Sequence, residues 1–146
     1  MFSHKVSEVM ERRKLVKAAP SMSVHKAAKL MAARRVGAML VIEDKKLVGI
    51  FTERDALFRV TAAGLDPEDT ILAEVMTTSP RTISPDALFG EALCIMWQQG
   101  FRHLPVIAGG LPVGIISSRS AMDPDLEEFA SETARRKHFM RTASPA

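Results

Sequence analysis

The chain has 146 residues, is 47% apolar and carries a formal charge of +3. That size and composition suit one compact domain with a real core and exclude a disordered chain. No apolar run approaches the roughly 20 residues that span a bilayer, and Met1-Phe2-Ser3-His4-Lys5 lacks the apolar stretch of a signal peptide, so a cytoplasmic protein is expected.

In chain order, residues 23–35 place Val24, Ala27, Ala28, Leu30 and Met31 at helical spacing, with Ser23 positioned to cap the first turn. Two short β-rich runs follow, Ala38–Glu43 and Leu47–Thr52, split by Asp44-Lys45-Lys46, and predict a hairpin. A helix is expected from Glu53 to about Ala62, stopped by Gly64, with Leu65-Asp66-Pro67-Glu68-Asp69 as a linker. Ser84-Pro85 then has the cap-then-first-turn order of another helix, with Gly100 at its left-handed end. Within it Cys94, the single cysteine, reads as a buried structural thiol. A second hairpin joins His103–Ile107 to Leu111–Ser117 across Ala108-Gly109-Gly110, and Pro112, which has no N–H, belongs at a strand end or edge. Asp123-Pro124 opens a last helix, acidic in its first turn and basic at Arg135-Arg136-Lys137-His138, so residues 123–146 read as a helix and frayed tail after the main module.

The chain repeats itself. Pro20 and Pro85, Met31 and Met96, Val41 and Val106, and Gly49 and Gly114 are each 65 residues apart, and Glu8-Val9-Met10 recurs as Glu74-Val75-Met76 after one residue more. Each copy is a small α/β unit, about 5–64 and about 71–122, too small for more than a marginal core. The strands are almost wholly apolar, so both faces of each sheet should be covered. Two copies that bury their sheets against each other meet that need and leave a groove between them.

Gly49-Ile50-Phe51-Thr52-Glu53-Arg54-Asp55 is the segment where chemistry is expected. The Thr52 hydroxyl and the first helical N–H groups can hold an anion, and Asp55 can accept hydrogen bonds from two vicinal ribose hydroxyls. The same residues also fit a plain capping box. With the duplication and the segment Arg102-His103-Leu104-Pro105-Val106, the chain resembles a tandem cystathionine-β-synthase (CBS) domain pair, or Bateman module, over about residues 5–122.

The resemblance implies an α/β (α+β) fold: two repeats about a pseudo-twofold axis, small sheets face to face, helices flanking. It also implies a stand-alone regulatory sensor that pairs into a homodimeric disc and acts on an unknown protein. The ligand would be an adenine nucleotide (AMP, ADP, ATP or NAD(H)) in the cleft, without a metal. By position, Asp55 would hold the ribose, Thr52 would orient ribose or phosphate, and Ile50 and Phe101 would flank the adenine. Gly37 and Ala38 would let the nucleotide approach, Thr77 to Ser79 would line the cleft, and Arg54, Arg102 and His103 would face phosphates. Ser120 stands where a second Asp55 would be, so the groove of Lys14, Val16, Ile115, Ser117, Arg119 and Ser120 should be the weaker site. That loss also favours the alternative, a ligand-free interaction or dimerisation module.

There is no Walker loop, Gly-x-Gly-x-x-Gly or Cys-x-x-Cys. No nucleophile lies beside an evident base, so catalysis is not expected. The basic clusters Arg12-Arg13-Lys14, Arg34-Arg35 and Arg135-Arg136-Lys137 read as solvated helix ends, which makes nucleic acid an unexpected partner.

Overall fold

The structure, a computed structural model, describes residues 2–13, 15–121 and 136. The expected helix and tail at 123–146 lie outside these residues, apart from Arg136.

The first packed unit runs continuously from β1 (Lys17–Ala18) through α2 (Val24–Arg34), β2 (Ala38–Glu43), β3 (Lys46–Thr52), α3 (Glu53–Asp55) and α4 (Leu72–Val75) to β4 (Thr77–Thr78). Its sheet has the order β1-β2-β3-β4, with β1 parallel to β2 and the other pairs antiparallel. Ser23 caps α2 as expected, its hydroxyl accepting from Lys26 N–H at 3.1 Å. Val24, Ala27 and Met31 form the buried stripe of α2 against Met39, Val41 and Phe51 of the sheet, and Leu72 and Val75 of α4 close this core. The register of β2 and β3 shifts at Val41/Ile42, leaving Val48 as an extra residue. This bulge lets Leu47 and Ile50 share one face while Val48 and Phe51 pack on the other.

The second unit repeats the plan with α5 (Phe89–Gln99), β5 (His103–Ala108) and β6 (Leu111–Ser117), followed by a 3-10 turn at Ser118–Ala121. It is discontinuous in sequence. Its core of Phe89, Ala92, Met96, Leu104, Val106 and Ile116 is closed by Val6 of α1 (Val6–Val9) and by neighbouring Val9 and Met10. The N–H groups of Val6 and Ser7 donate to Ala87 O and Pro85 O, just as those of Leu72 and Ala73 donate to Met22 O and Pro20 O in the first unit. Each short helix that opens a sequence repeat therefore packs in the other repeat's unit.

The reciprocity extends to the sheet edges. Thr77 pairs with Ile50, and Glu11 makes the matching bridge to Ile115. Gly49 and Gly114 make room for it. A Cβ on Gly114 would stand 2.7 Å from Met10 Sδ and 3.1 Å from Glu11 O, while one on Gly49 would run into Met76 Sδ and lie 3.0 Å from Thr77 O. Between the units, Ala38, Leu40 and Ile50 pack with Leu15, Ile42, Leu47 and Ile115, so both faces of the first sheet are covered.

Three local expectations are corrected. Ser84 does not cap α5: its hydroxyl accepts from Asp86 N–H in a tight turn, and the helix begins at Phe89. The carbonyls of Pro85 and Ala87 are committed to α1, so the turn at Ser84 does not run on into a helix until Phe89. The helix after β3 is α-helical only over Glu53–Asp55 and continues as a π-helix over Ala56–Thr61, with Ala62 N–H donating to Leu57 O and Leu65 N–H to Val60 O. Cys94 is exposed, because it falls two residues from both Ala92 and Met96 and so on the opposite face of α5. Pro112 lies second in β6, beside the register shift opposite Val106/Ile107, where a missing N–H is tolerated.

Gly49→Ala is expected to destabilise the protein by about 1–3 kcal/mol through overpacking. Adding Met76→Ala should recover part of that loss, giving a non-additive double-mutant cycle in urea denaturation. Additive losses would show that the two residues do not meet.

Candidate functional site

The site begins where β3 turns into α3. Thr52 and Asp55 form the capping box: Asp55 N–H donates to Thr52 Oγ1 at 3.3 Å, while Thr52 N–H and its hydroxyl donate to Asp55 Oδ2 at 3.0 and 3.2 Å. One carboxylate oxygen is thus spoken for. The other, Oδ1, has Arg59 Nε at 3.5 Å. Asp55 is only 9% exposed, yet a cavity of about 860 Å³ lies alongside it, within the size range of small-molecule sites.

The cavity joins the two units. Ile50, Thr52, Arg54 and Asp55 line it from the first, Phe101, Arg102 and His103 from the second, and Thr77 from the crossing segment. Eight of the residues singled out from sequence are therefore brought together here. Gly37, Ala38 and Ser79 are not among the lining residues. Gly37 lies under the Glu53 carboxylate and its carbonyl accepts from Glu53 N–H, Ala38 is buried in the contact between the units, and Ser79 turns the chain with φ +46°.

Sequence reasoning missed Glu53, Leu57, Phe58, Arg59, Pro80 and Arg81, which also line the cavity. The signal for Arg59 was its spacing of four from Asp55. It also donates to Val75 O and Met76 O, at 3.2 and 3.1 Å, and so ties Asp55 to the end of α4. Leu57 and Phe58 lie in the π-helix, which buries Val60 and leaves these two apolar side chains exposed at the cavity. Arg54 reaches Gly100 O at 3.2 Å and stands 5.1 Å from the Phe58 ring centroid, bridging the units.

A model of the CBS domain matches residues 6–62 and again 72–124. The chain belongs to the CBS domain family. Its fold is that of a tandem CBS pair, shared with an uncharacterized conserved protein from Pyrococcus horikoshii (TM-score 0.79, 29% identity, covering 86% of this chain and 94% of that one). It is also similar to a CBS domain protein from Pyrobaculum aerophilum solved in complex with AMP (TM-score 0.73, 26% identity, covering 80% and 89%). Among curated sequences, the meiotically up-regulated gene 70 protein of Schizosaccharomyces pombe is 36% identical over 130 residues, 77% of this chain but 18% of that protein. The chain spans about a fifth of the length of the first curated relatives it matches.

In the second CBS repeat, Ser120 copies only half of Asp55. Its hydroxyl accepts from Ser117 N–H at 3.3 Å and lies 3.2 Å from Ser117 Oγ, which leaves no second oxygen. Val16 is buried in the first repeat's core rather than in the opposite groove, and Lys14 lies outside the described residues. Ile115 packs between the repeats. Arg119 is exposed and close enough to His103 to influence its charge.

His103 is half-buried at the start of β5. Burial, with the nearby Arg102 and Arg119 guanidiniums, holds its pKa below the ordinary 6.5 against the opposing pull of Glu53. The shift favours the uncharged imidazole, and the cavity's permanent positive charges are its arginines. Between pH 6.5 and the lower folded value, the unfolded chain binds more protons than the native one, so stability falls as pH drops through this window. His103→Gln should flatten the slope of urea stability below pH 6.5, and an unchanged slope would count against this assignment.

Proposed function

We propose that this CBS pair is a regulatory module that binds an adenine nucleotide in the cleft between its repeats and performs no catalysis of its own. The observation that carries the reading is a nearly buried carboxylate, Asp55, fixed through Oδ2 by its own capping box and bordering a cavity rich in guanidinium groups. A sugar's paired hydroxyls need a rigid acceptor, and phosphates need planar, charged donor forks. Apolar Ile50, Phe58 and Phe101 supply walls for a flat base. The similar P. aerophilum protein was solved with AMP. Binding would draw the repeats together, and it would regulate a target to the extent that ligand affinity differs between the open and closed arrangements. The proposal includes a cytoplasmic homodimer, in which pairing would cover the outer face of α5, where Trp97 is 85% exposed.

Asp55→Ala is expected to weaken AMP binding at least about tenfold, roughly 1.4 kcal/mol, in calorimetry. Asp55→Asn keeps an acceptor for the cap and separates loss of binding from loss of the helix start. Equal affinity in wild type and both variants would remove the site from this cleft.

The self-satisfied Ser117–Ser120 pair favours a second reading, a ligand-free interaction module. The two readings part in a thermal shift assay. A ligand at 100 times its dissociation constant stabilises the native state by about 2.7 kcal/mol, whereas the interaction module predicts no shift with any adenine compound.

A further inference from the structure

We infer that the cleft prefers adenosine carrying two or three phosphates to the monophosphate, and that Arg81 makes the distinction. This rests on reading the cleft as an adenine-nucleotide site. Four guanidinium groups line the cavity, from Arg54, Arg59, Arg81 and Arg102, and they are not equivalent. Arg59 is committed to Asp55, Val75 O and Met76 O. Arg54 is held by Gly100 O and the Phe58 ring. The Arg81 and Arg102 side chains have no hydrogen-bond or ion-pair partner among the described residues.

These two available charges reach the cleft from different elements. Arg102 sits between Phe101 and His103, which also line the cavity, at the corner from α5 into β5. Arg81 arrives from the crossing segment, where left-handed Ser79 (φ +46°) and Pro80 turn the chain after β4. A guanidinium fork pairs with phosphate oxygens two at a time. With AMP the two free guanidiniums compete for the oxygens of a single phosphate, whereas a longer phosphate chain offers each its own. A sulfonium cation such as that of S-adenosylmethionine gains nothing from either.

The test is calorimetric titration of the chain with AMP, ADP and ATP in magnesium-free buffer at pH 7.5 and about 0.1 M salt, where exposed charges are screened over about 10 Å. The expected result is ADP and ATP binding at least about tenfold more tightly than AMP. Arg81→Gln should bring the three within about twofold of one another while leaving AMP within about twofold of wild type. AMP binding as tightly as ADP and ATP, or Arg81→Gln weakening all three alike, overturns the inference and leaves the nucleotide site standing. No binding of any of the three overturns both.

Discussion

The reciprocal crossing of the two repeats is the constraint on which the rest of the molecule depends. A unit of about 60 residues has too little core to stand securely alone, and here each is closed by a helix and an edge segment that open the other sequence repeat. Gly49 and Gly114 are the permissive positions, because only a missing Cβ lets Met76 and Met10 lie flat on the facing strand. The crossing also fixes the cleft. Thr77 and Arg81 reach the cavity because β4 is pinned to β3, and Arg59 is anchored because α4 ends at Val75 and Met76 beside it. Packing, sheet pairing and the geometry of the site are thus consequences of one exchange.

Much of this was legible in the sequence, for identifiable reasons. The 65-residue offset gave the duplication, and short, almost wholly apolar β-rich runs gave all four long strands within a residue. The Thr52–Asp55 box was readable because it depends on residues three apart. What escaped was set by distant contacts. Ser84-Pro85 looks like a helix start, but α1, some eighty residues earlier, takes the Pro85 and Ala87 carbonyls, and the helix begins only at Phe89. The crossing itself was invisible, since each opening helix packs no differently by local pattern whichever unit it joins. The π-helix and the turn that brings Arg81 inward leave no mark in apolar spacing. Cys94 was misplaced because a helix rich in apolar residues on every side hides which stripe is buried.

The asymmetry between the grooves is chemical rather than architectural. The backbone at Ser117–Ser120 repeats the Thr52–Asp55 arrangement closely enough that Ser118 N–H donates to Arg102 O as Glu53 N–H does to Gly37 O. The helical turn that follows is α in one and 3-10 in the other, and the capping side chains differ. A hydroxyl can complete the turn but cannot at the same time offer a second acceptor, so two similar folds present one carboxylate between them.

The crossing has a consequence for the order in which the molecule is made. The first unit, residues 17–78, is uninterrupted, so all its partners emerge from the ribosome together. Residues 2–11 belong to the second unit and must wait for Ala87 and Ile115, on the order of ten seconds at typical translation speeds. During that interval Val6, Val9 and Met10 have no core to enter. Synthesis therefore supplies every partner of the continuous half before the segment 2–11 meets its own.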